Sequence, residues 1–408
     1  MPNASLRRTL IAALLVCCSG ASVRAAPDEE LLGKALGYPV GTRTTWFSDE
    51  RVRVGSFSHL DSILPHRRLP RADRPRELPA AATPPAFVYQ GGRTIDDFLA
   101  RRRITGLMVI KDGVVQVERY QYDRTPAQRL LSNSMAKSIV SIAVGLALQE
   151  GRIRSLDDNA AVYAPELVGS AYGETPIRAL LRMGSGVQFS EKYDGRDDLS
   201  KYVRRQSSDG TIAALRSFEA RDTPAGQRFQ YASVETIVLG LVVKGATGQG
   251  LSAYVAERLW QPMGAEADAT WTVDPGGFEY AWGNFNATLR DWGRLAMLLA
   301  DDGARDGRQI VPRDYLIEAT DHRRQPAAFA PGAATPYYGY GYQFWTYPGA
   351  VRRFALLGVY GQSIFVDPQR RLALVITAAQ RDAISTGDGF GAERNALWRS
   401  IVEHYGSW

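Results

Sequence analysis

The sequence predicts an α/β (α+β) domain: an antiparallel sheet of N- and C-terminal strands, flanked by helices, with a mostly helical lobe inserted mid-chain. Three observations predict it. Residues 106–120 alternate in the manner of a hairpin, with Leu107, Val109 and Val115, Val117 flanking the turn Lys111-Asp112-Gly113. Near the other end, 354–357, 363–366 and 372–377 are apolar runs of strand length, the last two joined by the turn Asp367-Pro368-Gln369. Between them, from about 157 to 346, helical periodicity dominates.

In chain order, the N-terminus has the form of an export signal. Arg7 and Arg8 supply the charged part, 10–18 the apolar part, and Val23-Arg24-Ala25 a small-residue cleavage site that leaves Ala26 first. We therefore expect a signal peptide over 1–25 and a periplasmic or secreted protein. The paired arginines fit the twin-arginine route and the general one alike. The apolar stretch is too short for a stable membrane anchor. Residues 26–93 follow as a proline-rich arm, with Pro39, Pro65, Pro70, Pro75 and Pro85 preventing long helices, and are expected to pack on the body. The main domain is expected over 94–408.

Within that domain a helix is expected at 94–102, then the hairpin, then a polar connection through Asp123 and Thr125. Thr175-Pro176 sets a cap and a first-turn proline for a helix at 177–183. Residues 237–243 form an apolar helix, 251–260 and 287–299 are amphipathic, and 392–405 carries Leu397, Ile401 and Val402 on one face.

Composition narrows the function. The formal charge of +6 falls to about +3 once the three arginines of the leader are removed, and no basic run with interleaved aromatics occurs. Nucleic acid is not an expected partner. Both cysteines, Cys17 and Cys18, lie in the leader, so no disulfide, thiolate nucleophile or cysteine ligand is expected in the mature chain. The four histidines, His59, His66, His322 and His404, are scattered without metal-binding spacing. Neither a metal nor another cofactor is expected. A Gly-X-Ser-X-Gly elbow is also missing, so catalysis is expected to run without histidine.

The stretch that carries chemistry is Ser132-Asn133-Ser134-Met135-Ala136-Lys137-Ser138. It places Ser134 at the mouth of a helix, with Lys137 one turn further on the same face. An amine kept neutral by burial can take the proton of a serine hydroxyl, and the free N–H groups of a helix start favour negative charge on an attacked carbonyl. Of the six lysines only Lys137 follows a serine at this spacing, in apolar surroundings where an unpaired ammonium is costly. A capping serine with a snorkelling lysine is the alternative. Further along, Tyr231 lies on a turn before the 237–243 helix; it is either a half-buried packing residue or a phenol able to relay a proton to Ser134.

Ser134-Met135-Ala136-Lys137, then Tyr231-Ala232-Ser233, then Gly358-Val359-Tyr360-Gly361-Gln362 resemble, in order, the three boxes of the serine β-lactamase and penicillin-binding superfamily. The chain is most similar to the class C branch with its esterases and 6-aminohexanoate-dimer hydrolases, from about Gly37 to the end. Supporting stretches are 54–59, 180–187, Asn286 to Asp291 and Gly339-Tyr340-Gly341-Tyr342-Gln343.

The resemblance implies a β-lactamase-like fold and a covalent acyl-enzyme on Ser134, with a small ester or amide as substrate. It implies that Lys137 and Tyr231 share the proton work, the base being open, and that backbone N–H groups of Ser134 and Gln362 form the oxyanion hole. Ser233, Tyr360 and Gly361 would contact substrate. So would Tyr193, which matches a tyrosine that nylon-oligomer hydrolases use on the leaving amide; an exposed loop tyrosine is the other reading. Two departures weigh against β-lactams. Ser233 stands where β-lactamases have Asn, and Val359-Tyr360 where they have Lys-Thr, the lysine that holds a substrate carboxylate. The alternative functions are a penicillin-binding or sensor-type protein acylated at Ser134 without efficient turnover, or a β-lactamase. Trp282, Phe285, Tyr340 and Trp345 are open to either an acyl pocket or the core.

Overall fold

The computed structural model describes residues 26–384 and 387–408, so the expected signal peptide, 1–25, lies outside the described residues. Two larger sheets are built from strands β1 (His66–Leu69), β2 (Ile104–Lys111), β3 (Val114–Tyr120), β4 (Arg129–Leu131), β5 (Ala269–Thr272), β6 (Phe285–Thr288), β7 (Gly339–Tyr340), β8 (Trp345–Thr346), β9 (Phe354–Gly358), β10 (Gln362–Asp367) and β11 (Leu372–Ala378). The main sheet has the order β7-β8-β9-β10-β11-β2-β3, antiparallel throughout. Its central register pairs Leu374 with Val109 and Ile364 with Val375. This is the predicted antiparallel sheet of N- and C-terminal strands.

Five helices matter for the site: α1 (Ala136–Gln149), α2 (Asp198–Asp209), α3 (Ser233–Thr247), α4 (Leu289–Ala300) and α5 (Phe390–His404). Because successive strand residues point to opposite faces, β2 feeds two cores. Met108 and Ile110 join the large core with α1, α3 and α4, whereas Leu107 and Val109 join the smaller core under α5. On the α5 side Trp398 stacks on Phe365 with centroids 5.7 Å apart. Apolar on nearly every side, α1 is buried from Ala136 to Ala147. That is the expected outcome for a helix with no polar face to give to water.

Three local expectations change. Residues 285–288 form β6 rather than the start of a helix; Thr288 then caps α4, its hydroxyl accepting the Asp291 N–H at 3.1 Å. The second sheet, β1-β5-β6-β4, was not predicted. Its strands are three or four residues long and their partners lie far apart in the chain, so no local pattern marks the pairing. α2 was also missed. Few of its residues are apolar, and Asp197 starts it by accepting the Ser200 N–H at 2.9 Å.

The arm carries a short helix, Glu50–Ser56, besides β1. Tyr38, Val54, Phe57 and Leu60 form a third apolar cluster that also takes in Leu131 and Tyr360. The segment therefore braces both ends of the Ser134 region. No described helix is long and apolar enough to cross a membrane.

Candidate active site

Strand β4 delivers the chain to Ser134. Ser132 is locked to β6, its N–H donating to Phe285 O at 2.8 Å and its hydroxyl accepting the Phe285 N–H at 3.1 Å. Asn133 then takes a left-handed conformation, φ 43°, one of the few non-glycine types that does so at low cost. Its amide donates to Val359 O at 2.9 Å, which ties the nucleophile turn to the edge of β9. A single 3₁₀ turn, Asn133–Met135, leads into α1. Ser134 is left half-buried while its neighbours on both sides are buried.

Lys137 lies in the first turn of α1 and is 1% exposed. Its Nζ is 2.9 Å from Ser134 Oγ and donates to Trp282 O at 2.9 Å. Burial lowers its pKa from 10.5 to about 8, with the Glu191 carboxylate pulling the other way. The third predicted member arrives from the turn before α3. The Tyr231 phenol lies close enough to Ser134 for that hydroxyl to act on its ionisation, and burial, reinforced by Glu191, holds its pKa well above the ordinary value. The ring stacks on Trp345, centroids 5.7 Å apart and planes at 18°, and meets the edge of Tyr340 at 6.2 Å. Lys137 Nζ stands 5.1 Å from the centre of the same ring. A hydroxyl, an amine inclined to be neutral and a phenol inclined to stay protonated thus converge.

What keeps α1 and α3 in step is Gln343, which is buried at φ 63°. Its carboxamide accepts from Thr236 Oγ1 at 2.7 Å and donates to Leu180 O and Leu181 O at 3.0 and 3.1 Å. Its backbone carbonyl accepts from Ser138 Oγ at 2.6 Å.

The third box behaves differently from the expectation. Tyr360 does not face Ser134: at φ 60° its ring turns into the arm cluster, 5.0 Å from Phe47 and 5.7 Å from Phe57, with the Arg53 guanidinium 4.1 Å above it. Gly361 faces the sheet interior, where a Cβ would come within 2.9 Å of Gln380 and 3.0 Å of Ala378. Gln362 is buried in the ladder opposite Gly358, its side-chain oxygen accepting from Ala378 N at 3.0 Å. The residue lying against the Ser134 turn is Gly358. A Cβ there would stand 3.0 Å from Ser134 N and 2.6 Å from Ser132 O. The tight turn at Val359–Gly361, with Tyr360 left-handed, sends the Tyr360 ring into the arm cluster and leaves Gly358 beside the Ser134 turn.

Ser233 is buried two residues beyond Tyr231. It is 1% exposed, and its N–H and hydroxyl both donate to Glu191, each at 2.7 Å. Tyr193 is half-buried and also donates to Glu191. Of the open aromatics, Trp282 and Trp345 are half-buried at the site while Phe285 and Tyr340 belong to the interior. His322 pairs with Gly349 O and His404 packs on Phe87, both away from Ser134.

Sequence reasoning missed Glu191, the Trp282 carbonyl and Gly358. Glu191 sits in an acid-rich run with Asp194, Asp197 and Asp198, which nothing distinguishes from a solvated loop. A backbone carbonyl has no sequence signature. Gly358 lay inside the recognised box, and an unexplained glycine there was the available clue to close backbone approach.

A family model described as Beta-lactamase matches residues 92–395. A 6-aminohexanoate-dimer hydrolase of Paenarthrobacter ureafaciens is 27% identical over 356 residues, 84% of this chain and 88% of the relative. A solved structure from Bacillus anthracis, provisionally described as the same kind of hydrolase, superposes with TM-score 0.79 at 23% identity, covering 89% of this chain and 96% of that one. An octameric penicillin-binding protein homologue from Pyrococcus abyssi gives TM-score 0.58 at 18% identity, covering 77% and 76%.

Proposed function

The chain belongs to the beta-lactamase family of hydrolases, and from that premise we propose that it is a serine hydrolase cleaving a small ester or amide through an acyl-enzyme on Ser134. The observation that carries this reading is the 2.9 Å separation of Ser134 Oγ and Lys137 Nζ. Lys137 is the base. Its lowered pKa leaves part of the population neutral near pH 8, whereas the Tyr231 phenol is pushed away from ionisation.

In acylation Ser134 Oγ attacks the carbonyl carbon as its proton passes to Lys137. The oxyanion is held by the Ser134 N–H and one from the Gly358–Val359 edge; removing such a donor costs on the order of 3 kcal/mol. Tyr231 gives its proton to the departing alcohol or amine and is reprotonated from Lys137. Water then attacks the acyl-enzyme with the same groups in reverse, releasing the acid. The likeness to the 6-aminohexanoate-dimer hydrolase of Paenarthrobacter ureafaciens supports an amide among the substrates. The uncharged Val359-Tyr360 pair speaks against β-lactams, since neither side chain is a cation that could pair with a substrate carboxylate. The mature chain, from Ala26, would act in the periplasm or outside the cell.

The test is a substrate panel with the purified mature protein: short-chain p-nitrophenyl esters, linear amide oligomers and a chromogenic cephalosporin. Repeated turnover of ester or amide is expected, abolished in Ser134→Ala with folding intact. A single burst equal to the enzyme concentration would instead identify an acylated, non-releasing protein. Substantial activity in Ser134→Ala would remove Ser134 as nucleophile.

A further inference from the structure

Beside the reacting groups sits a carboxylate that the mechanism does not use. Glu191 Oε1 accepts from the hydroxyls of Tyr193 and Ser233, and Oε2 from the Ser233 N–H at 2.7 Å. All three partners donate, so both carboxylate oxygens serve as acceptors. No arginine or lysine forms an ion pair with it among the described residues. Glu191 is nonetheless the charge that acts on both Lys137 and Tyr231, which puts it within electrostatic reach of the scissile bond.

The surrounding loop is fixed rather than loose. Tyr193 is held at φ 58°, a region a tyrosine rarely adopts. Asp197 accepts the N–H groups of Lys192 and Tyr193 at 2.6 and 2.8 Å while capping α2 through Ser200. A strained residue persists where its surroundings over-determine it, and such residues gather at ligand sites.

Resting on the serine-hydrolase reading, we propose that Glu191 is the specificity-determining carboxylate of this site: it positions Tyr193 and Ser233 and turns away substrates bearing a negative charge near the scissile bond. The substrate class is therefore neutral or cationic esters and amides. Lys137, the cation-forming group at the nucleophile, has to be neutral to act, and the third box offers Val359 and Tyr360 in place of a cation. An incoming carboxylate would meet the Glu191 charge across a partly desolvated cleft, where like charges repel far more than in bulk water.

The experiment compares kcat/KM for p-nitrophenyl butyrate with that for the mono-p-nitrophenyl ester of glutaric acid, which carries a carboxylate on an acyl chain of similar length. The mature wild type should disfavour the anionic ester by about tenfold or more at low salt, with the gap narrowing as salt is added. Glu191→Gln should bring the ratio to about threefold or less, while Glu191→Asp, which keeps the charge, should retain most of the discrimination. A purely structural role for Glu191 would slow both esters together and leave their ratio and its salt dependence unchanged, and that result overturns the proposal. Equal wild-type rates on the two esters overturn it without any variant and leave the serine-hydrolase reading intact. Failure of the wild type to turn over either ester overturns the parent reading and this one with it.

Discussion

Lys137 Nζ donates to the carbonyl oxygen of Trp282 at 2.9 Å while standing 2.9 Å from Ser134 Oγ. A neutral amine has two N–H groups and one lone pair. Occupying one N–H with a fixed carbonyl leaves the lone pair free to face the serine proton, so a loop 145 residues downstream orients the base. Four predictions follow from this arrangement and its supports.

Activity should depend on Lys137 losing its proton. Because its pKa is lowered to about 8 by burial, kcat/KM for a neutral ester should rise with pH and level off above that value. Lys137→Arg, which cannot deprotonate in this range, should lose on the order of 10³-fold at every pH. A pH–rate profile in which the ascending limb lies near the carboxylate range would contradict the assignment.

The same lysine should cost stability. A lysine with a lowered folded pKa binds fewer protons folded than unfolded between about 8 and 10.5, so stability rises with pH across that window and the penalty is full below it. Lys137→Met should abolish turnover yet stabilise the fold by on the order of 1–3 kcal/mol at pH 7, part of the gain being offset by the lost bond to Trp282 O. Urea unfolding at pH 7 and pH 10 measures this, with a smaller gain expected at pH 10.

Glu235 should behave in the opposite sense. It is 1% exposed, accepts from Ser185 Oγ at 2.6 Å, and burial raises its pKa from 4.5 to about 8. The stability it contributes is fully present below about 4.5 and is lost as pH rises through about 8. Glu235→Gln, neutral throughout, should raise Tm more at pH 8 than at pH 5. Equal shifts at both pH values would show that the carboxyl is not titrating there.

Gly358 should tolerate no side chain. A Cβ would stand 2.6 Å from Ser132 O and 3.0 Å from Ser134 N, forcing apart the two edges that supply the oxyanion donors. Gly358→Ala should lower kcat by on the order of 10²-fold. Steady-state kinetics beside a thermal melt separates this from unfolding; near-normal kcat would mean the oxyanion site lies elsewhere.

Legibility in the sequence varied with the range of the interaction. The 106–120 hairpin and the three C-terminal strands carry their period and turn residues locally, and the structure has them at β2–β3 and β9–β11. β4, β5 and β6 have no such signature, because each is short and paired with a strand distant in the chain. Ser134 and Lys137 are one helical turn apart, so their meeting could be inferred from spacing. Tyr231, on a turn before an apolar helix, read locally as either packing or proton relay, and only its order among the boxes favoured the second. Tyr360 was misjudged because a single left-handed residue, φ 60°, reverses which side of the strand edge its ring takes.

By itself, then, the sequence determined five of the main sheet's seven strands, the buried helix and the serine–lysine pair, since each is set by side-chain period over a few residues. Tertiary structure alone decided that Trp282 O holds the lysine, that Gly358 lies against Ser134 N, and that Glu191 gathers Tyr193 and Ser233. The physical reason is that backbone carbonyls, close approaches and the field of a lone carboxylate depend on distance in space, which the order of residues along the chain does not encode.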